Sequence, residues 1–355
     1  MLADFLPTSA SSASSACLPR IAVVATGGTI AGALTGTTAA APAAVSLTAH
    51  YQAGILEIED LLEALPVLAS VAHIEAEQSV QIDSKDMTLA YWSQLVYRVN
   101  ALLTRAEIDG VVITHGTDTL EETAFLLHLG VKSSKPVVLT AAMRPATALS
   151  ADGPLNLFNA VTVAAHQAAI GQGVLVVLNN QIHCARDVTK TSTYAVDAFR
   201  SPEVGALGWV QDGRVEFQRA PQRRHTCASE LEAPLEAWPL VEIVMNYAGA
   251  STVLVDALMA AGVRGIVAAG TGNGSLGAPL QQALAQAVRR GVAVVRASRV
   301  GAGHVMRNGV VPDDELGFVS AGTLNPYKAR VLLMLALSGD QPAPTSRLQS
   351  IFDTY

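Results

Sequence analysis

The chain has 355 residues, of which 15% are charged and 50% are hydrophobic, and its formal net charge is -7. This composition excludes a disordered or fibrous chain and predicts a large core divided between two domains. The Lys and Arg residues are scattered, so the basic stripe that nucleic-acid binding requires is missing, and the expected partner is a small molecule.

The first nineteen residues are rich in Ser and Ala and are expected to form a disordered N-terminal extension. They lack the basic and apolar regions of a secretory signal, and no stretch of the sequence approaches the roughly 18 to 20 apolar residues that a membrane span needs. The three cysteines, Cys17, Cys184 and Cys227, form no C-x-x-C pair, so neither a disulfide framework nor a zinc site is indicated. We therefore expect a cytoplasmic protein, with the periplasm as the alternative.

From Arg20 onward, apolar runs that predict strands alternate with segments of helical period. This alternation is typical of an α/β protein with a doubly wound, mainly parallel sheet. Asp86 is expected to cap the first long helix, and the Asp212-Gly213 pair predicts an antiparallel hairpin over 209–215. The predicted strands are 21–25, 110–114, 136–140 and 174–178, and the predicted helices are 86–104, 120–128 and 155–168.

The stretch 219–239 contains three prolines, several charges and no sustained apolar period, which predicts an interdomain linker. A large domain over 20–218 is therefore expected to precede a smaller, flavodoxin-like α/β domain over 240–355. Asn325 and Pro326 have the residue types of an N-cap and a first helical position, so they predict the start of the last helix. The other predicted elements of the smaller domain are strands 241–245, 265–269 and 293–297 and helices 251–260 and 278–290.

Two threonine-rich turns follow predicted strands, ATGGTIAG over 25–32 and THGTDT over 114–119. In open parallel sheets, ligands bind where the strands end at their carboxyl edge. A hydroxyl beside glycines can serve as the nucleophile of acyl transfer, and exposed main-chain amides can serve as its hydrogen-bond donors. Thr29 is the candidate nucleophile. Thr117 and Asp118 bring a hydroxyl and a carboxylate to the neighbouring turn, and the alternative interpretation is that they or Thr119 cap the following helix.

Four further features of the sequence each have more than one interpretation. Lys190 can act as a base at neutral pH only if its surroundings lower its pKa from about 10.4. The alternative interpretation is that Lys190 is an ordinary surface lysine. His115 is interpreted as support for its turn, and the histidines show no metal-binding spacing, so no metal is predicted. The stretch 272–277 fits G-x-G-x-x-G, but 297–299 offers no acidic ribose ligand, so no cofactor is predicted. The segment 32–53, rich in small residues, is either a lid over Thr29 or a tolerated insertion.

Taken together, these motifs resemble those of the bacterial-type, homotetrameric L-asparaginase and asparaginase-glutaminase family, from residue 18 to residue 355. Several long motifs occur in order and at compatible spacing. They are ATGGTIAG at 25–32, THGTDT at 114–119, AMRP at 142–145, SADGP at 150–154, DVTK at 187–190, GNG at 272–274 and GTLNP at 322–326.

The resemblance implies hydrolysis of the side-chain amide of L-asparagine to L-aspartate and ammonia, with minor glutaminase activity and no cofactor. It implies that Thr29 attacks the carboxamide carbon to form an acyl-enzyme, and that Tyr51 closes over the substrate and assists proton transfer. Thr117, with Asp118 and Lys190, matches the second polar triad, which activates the water or holds the carbonyl.

The resemblance also implies a substrate-binding set and an assembly. Ser84 would bind the α-carboxylate of the substrate and Asp118 its α-ammonium, while Asn273 would reach the site from a neighbouring subunit. The family assembles as a homotetramer, a dimer of dimers with shared active sites, so a homotetramer is expected here.

Two residues depart from the family pattern. Lys85 stands where many relatives have Gln or Glu, and Val310 stands where a partner subunit's Glu often holds the lid tyrosine. These departures motivate an alternative, a non-catalytic or substrate-shifted amino-acid-binding protein on the same scaffold. The positions around Arg105 and Ser133 lack the cysteines of some secreted relatives, which favours a reducing compartment.

Overall fold

The computed structural model describes residues 18–34, 51–339 and 343–355. Most of the predicted N-terminal extension and of the predicted lid segment, residues 1–17 and 35–50, lies outside the described residues, so both interpretations stay predictions. The helices are α1 (Ile58–Glu63), α2 (Leu89–Thr104), α3 (Leu120–Gly130), α4 (Gly153–Ala164), α5 (Val253–Ala260), α6 (Ala278–Arg289), α7 (Asp313–Leu316), α8 (Pro326–Ala336) and α9 (Thr345–Thr354).

The strands of the larger, N-terminal part are β1 (Arg20–Gly27), β2 (Ala33–Leu34), β3 (Tyr51–Gln52), β4 (His73–Ile82), β5 (Gly110–Thr114), β6 (Val137–Thr140), β7 (Val174–Leu178), β8 (Gln181–Cys184), β9 (Thr189–Lys190), β10 (Phe199–Arg200), β11 (Gly208–Gln211) and β12 (Arg214–Phe217). The strands of the smaller, C-terminal part are β13 (Val241–Met245), β14 (Gly265–Gly270), β15 (Ala293–Ser298) and β16 (Phe318–Ser320).

Within the described residues, the larger sheet has eight strands in the order β12-β11-β8-β7-β6-β5-β1-β4. Strands β4, β1, β5, β6 and β7 are parallel, and the rest are antiparallel additions. Along β1, Ala22 and Val24 pack into the core that holds α2 and α3, whereas Ile21 and Val23 pack into the core that holds α4. Burial on both faces explains the continuous apolar runs, and the predicted doubly wound α/β sheet is confirmed.

The smaller sheet is parallel, and its four described strands lie in chain order, β13-β14-β15-β16, which differs from the strand order of flavodoxin. Because each crossover steps in the same direction, α5 and α6 pack on one face. The other face is covered by α8 and α9, whose apolar residues belong to the same buried cluster as α2 and α3. The smaller parallel C-terminal unit is confirmed, and its core is continuous with that of the larger sheet.

The stretch between β12 and β13 contains one short 3₁₀ turn, Thr226–Ala228, and is otherwise irregular. Its role as a linker over 219–239, and the domain limits 20–218 and 240–355, stay predictions. Among the described helices, none combines the length and the apolar character that crossing a lipid bilayer requires.

Two local predictions are confirmed by the structure, and two are wrong. The hairpin β11–β12 is confirmed, and Asp212 and Gly213 have φ values of 48° and 76°, as its turn requires. The cap at Asn325 is confirmed, because its side chain accepts a hydrogen bond from the Lys328 amide at 3.0 Å. Asp86 as the cap of α2 is wrong: Thr88 holds that position and accepts from the main-chain amide of Tyr91. The helix that begins after Asn325 is also not the last one, since α9 follows it.

Candidate active site

Thr29 lies directly beyond the carboxyl end of β1. The chain leaves the strand through Gly27 and Gly28, whose φ values of 96° and 80° are left-handed. A Cβ atom on Gly28 would lie 2.4 Å from the main chain of Gly116, so no other residue fits there. This close approach packs the turn after β1 against the turn after β5, and it places the buried Thr29 side chain, 7% exposed, at their junction.

The hydroxyl of Thr29 is paired with that of Tyr51. Thr29 Oγ1 and Tyr51 Oη are 2.8 Å apart, and either can be the donor. Tyr51 is brought there by β3, which pairs antiparallel with β2 so that Tyr51 lies opposite Leu34. The pairing gives the threonine a direct partner for proton exchange.

The second turn, after β5, places Thr117 and Asp118 around the ammonium group of Lys190. Lys190 Nζ donates to Thr117 Oγ1 at 2.9 Å and to Asp118 Oδ1 at 2.7 Å. Thr117 is buried, whereas 55% of the Asp118 side chain is exposed. Lys190 is therefore not a free surface lysine, and the carboxylate of Asp118 keeps an open face toward solvent.

Ser84 connects this turn to the end of β4. Its Oγ accepts a hydrogen bond from the Asp118 amide at 3.2 Å, and its main-chain oxygen accepts one from Thr119 Oγ1 at 2.8 Å. Thr119 occupies the N-cap position of α3 but makes no side-chain capping bond. Its side chain holds Ser84 instead, so the capping interpretation is wrong for Thr119.

Lys85 is paired with two carboxylates next to it in the chain. Its ammonium contacts the carboxylate of Asp86, lies 4.0 Å from Asp83, and belongs to a side chain that is 61% exposed. The hydrogen bond with Asp86 raises the pKa of Lys85. The positive charge of Lys85, a residue that departs from the family pattern, is thus balanced by neighbouring carboxylates.

His115 is completely buried in the second turn. Its Nδ1 lies 2.8 Å from the main-chain oxygen of Gly116, which can only accept, so Nδ1 carries the hydrogen. Burial lowers the pKa of His115 to about 4, which makes the ring neutral at pH 7. The interpretation of His115 as support for the turn is confirmed.

Asn273 lies in the C-terminal part, in the turn between β14 and α6. Its side chain donates to the main-chain oxygen of His304 and accepts from the amide of Met306, both at 3.0 Å. No hydrogen bond within the described residues joins it to the two turns that carry Thr29 and Thr117. In the same part of the chain, Val310 is 58% exposed.

The alternative sites have little support among the described residues. No group of three or more His, Cys, Asp or Glu side chains there is arranged to hold a metal ion. In the G-x-G-x-x-G stretch, the amide of Gly277 at the start of α6 already donates to Asn246 Oδ1 at 3.0 Å. That amide is therefore not free for the phosphate that a dinucleotide would place there.

Among the residues singled out from sequence, the structure brings together a hydroxyl pair, Thr29 with Tyr51, and a polar cluster, Thr117, Asp118, Lys190 and Ser84. It does not bring Asn273 to them within one chain. Sequence reasoning missed the buried Lys328, which donates to the main-chain oxygens of Arg186 and Val188 just before Lys190, and whose signal is a lysine on the apolar face of α8. A buried hydroxyl with a proton partner, beside a second polar cluster, is an arrangement that can carry out acyl transfer.

Comparison with known proteins agrees with the resemblance seen in the motifs. Residues 20–223 match the family model "Asparaginase, N-terminal", and residues 240–352 match "Glutaminase/Asparaginase C-terminal domain". The chain is 46% identical to "Probable L-asparaginase periplasmic" of Haemophilus influenzae, over 97% of this chain and 95% of that protein. It is 44% identical to "Glutaminase-asparaginase" of Pseudomonas fluorescens biotype A, over 95% and 91%.

A solved structure, that of the probable cytoplasmic L-asparaginase of Campylobacter jejuni, is similar with a TM-score of 0.88 and 44% identity. The similarity covers 95% of this chain and 100% of that one. Matches of this extent in sequence and structure confirm the predicted relationship. The chain therefore belongs to the asparaginase family.

Proposed function

We propose that this protein hydrolyses the side-chain amide of L-asparagine to L-aspartate and ammonia, with a minor activity on L-glutamine. The observation that carries the proposal is the 2.8 Å pair of Thr29 and Tyr51 hydroxyls beside the Lys190–Thr117–Asp118 cluster. Family membership supports it, as do relatives named L-asparaginase and glutaminase-asparaginase.

In the first half-reaction, Thr29 Oγ1 attacks the carboxamide carbon while Tyr51 relays the proton: Oη takes the hydrogen of the Thr29 hydroxyl and gives up its own toward the leaving nitrogen. The carbon–nitrogen bond then breaks, the nitrogen takes up a proton and leaves as ammonia, and the acyl group stays on Thr29 as an ester. The Thr117 amide donates no hydrogen bond within the described residues and is available to the developing oxyanion. Losing one such donor costs about 100- to 1000-fold in rate.

In the second half-reaction, a water molecule held by Thr117 attacks the ester carbonyl. The hydrogen bond from Lys190 to Thr117, and that from Lys190 to Asp118, orient this hydroxyl. The ester bond to Thr29 then breaks, Thr29 Oγ1 takes up the proton that the water gives up, and aspartate leaves.

Substrate binding follows from the charges of the cluster. The exposed face of the Asp118 carboxylate suits the α-ammonium group of the amino acid. Ser84 accepts a hydrogen bond from the Asp118 amide through its oxygen, so its own hydroxyl hydrogen is left for the α-carboxylate.

We further propose that the protein is a homotetramer, a dimer of dimers in which Asn273 completes the site of a neighbouring subunit. The side chain of Asn273 makes no hydrogen bond to the Thr29 turn within the described residues of one chain, which supports this, as does the exposure of Val310. Sedimentation analysis tests the assembly. Refolding Thr29→Val together with Asn273→Ala should restore activity that neither variant has alone, because mixed dimers contain one intact site; no restoration would place each site within one subunit.

We also propose a cytoplasmic location, supported by the free cysteines Cys184 and Cys227 in the described part of the chain. The names of the relatives divide on this point, since one is called periplasmic and another cytoplasmic. Cell fractionation with compartment markers tests the location, and recovery in the periplasmic fraction would contradict it.

The activity itself is tested by ammonia release from L-asparagine, L-glutamine and D-asparagine, with wild type and Thr29→Val measured in parallel. We expect L-asparagine to be preferred and the variant to lose nearly all turnover. Binding of L-asparagine without ammonia release by the wild type would favour the alternative of an amino-acid-binding protein. Equal rates in both proteins would remove Thr29 from its role.

A further inference from the structure

Lys190 is reached through a stretch of chain, residues 186–188, that belongs to no helix or strand. Main-chain carbonyls in such a stretch need partners other than a sheet ladder. Two of them have the same partner: Lys328 Nζ donates to the oxygen of Arg186 at 2.8 Å and also to that of Val188. Lys328 lies about 140 residues further along the chain, in the first turn of α8.

The same turn of α8 makes a second contact with this stretch. Asn325 Nδ2 lies 3.4 Å from Thr189 Oγ1 and 3.3 Å from Glu121 Oε2, while its Oδ1 caps α8. Asn325 and Lys328 therefore hold three of the four residues that precede Lys190.

Arg186 is anchored to the C-terminal part of the chain by its side chain as well. Its Nε donates to the main-chain oxygen of Tyr355 at 2.5 Å, and its Nη1 donates to Asp187 Oδ1 and Thr323 Oγ1, both at 3.0 Å. The stretch 186–189 is thus bound to the C-terminal part of the chain through both main-chain and side-chain atoms.

A lysine is a costly residue at the Lys328 position. The side chain is 2% exposed, and burial lowers the pKa of Lys328 to about 8, although Glu121 and Asp187 oppose the shift. An apolar side chain would fill the helix face without this desolvation cost. An apolar side chain could not donate hydrogen bonds to two carbonyls. A lysine can, because it keeps at least two N–H donors whether or not it is protonated.

We propose that Lys328 is a positioning residue for catalysis: by holding the carbonyls of Arg186 and Val188, it fixes the place of Lys190 Nζ relative to Thr117 Oγ1. This inference rests on the proposed function. It assigns to the C-terminal part of the chain a role in the site of its own subunit, separate from the role proposed for Asn273 in a neighbouring one.

The test compares Lys328→Met with a matched control, Lys132→Met. Lys132 Nζ also donates to two carbonyls, those of Ser229 and Leu231, both at 2.7 Å, but it contacts no residue of the cluster in the described part of the chain. Because a displacement of about 1 Å costs roughly 100-fold in rate, we expect kcat on L-asparagine to fall about 10- to 100-fold in Lys328→Met, with a smaller change in KM. The control should keep kcat within about twofold of the wild type.

A double-mutant cycle separates positioning from a general loss of structure. If Lys328 acts through Lys190, then Lys328→Met should not lower the residual rate of Lys190→Met any further. Asn325→Ser provides a second route, since serine keeps the cap and removes the Nδ2 contacts. It should lower kcat several-fold in the wild type and leave Lys190→Met unchanged.

The inference would be overturned if Lys328→Met or Asn325→Ser lowered the residual rate of Lys190→Met by the same factor as it lowers the wild-type rate. A wild-type kcat in folded Lys328→Met or Asn325→Ser would also overturn it. If Lys328→Met does not fold, the kcat of Asn325→Ser in the wild-type and Lys190→Met backgrounds decides the question. A wild type that releases no ammonia from L-asparagine would instead contradict the proposed function, so the two failures are distinguishable.

Discussion

The contact between the two site turns can be tested at a single position, Gly116. This glycine is not among the residues with positive φ, so Gly116→Ala acts by crowding rather than by backbone strain. The new Cβ would lie 2.5 Å from Ser84 Oγ and 2.7 Å from Ser84 Cβ, whereas ordinary contact begins at 3.4 Å. Ser84 and Gly116 must therefore separate by about 0.7 to 0.9 Å.

Such a movement carries Thr117 and Asp118 with it. Since a misplacement of about 1 Å costs on the order of 100-fold in rate, we expect kcat/KM on L-asparagine to fall about 30- to 100-fold. The free energy of unfolding should fall by about 1 to 3 kcal/mol, the usual cost of overpacking.

The assay measures ammonia release and urea unfolding for the wild type, Gly116→Ala and a control, Gly339→Ala. Among the described residues, no atom would lie within 4 Å of a Cβ at Gly339, so the control should match the wild type in both measurements. A folded Gly116→Ala that keeps more than half of the wild-type kcat/KM would refute the claim that close packing of these turns sets the site geometry.

Three further predictions concern single side chains. Tyr51→Phe removes the partner of Thr29 Oγ1 and should lower kcat at least about 100-fold in the ammonia assay; a loss below tenfold would exclude Tyr51 from proton transfer. Burial lowers the pKa of His183 to about 4, so the unfolded state binds more protons and stability falls as the pH drops from about 6.5 to 4. His183→Gln should reduce the difference in unfolding free energy between pH 7 and pH 4.5 by about 2 to 3 kcal/mol, measured with urea; an unchanged difference would contradict the shift. Lys85→Gln should change kcat/KM less than about threefold, because its charge is paired with Asp86 at the surface; a tenfold gain would show that this charge opposes the substrate.

The parts of the site that sequence predicted are those carried by buried parallel strands. β1 and β5 are covered on both faces, so they appear as apolar runs, and the turns that follow them carry Thr29 and Thr117. β4 was missed because it is an edge strand whose residues are mostly polar and partly exposed. Consequently, the sequence by itself gave no element to position Ser84.

Other features depend on side-chain contacts that no sequence pattern shows. Asp86 and Thr88 are both suitable caps, and the choice between them is made in three dimensions, where Asp86 is engaged by Lys85. The carbonyls of Arg186 and Val188 lie about 140 residues from Lys328, so no local pattern predicts that this lysine binds them.

The central claim is that the Thr29 hydroxyl forms an ester during turnover. The most direct test mixes the enzyme with L-asparagine, quenches it in acid during the steady state, and measures the masses of its peptides. We expect the peptide containing Thr29 to gain the mass of an aspartyl group, and Thr29→Val to show no such gain. Continued hydrolysis with Thr29 unmodified, or with the acyl group on Thr117, would contradict it.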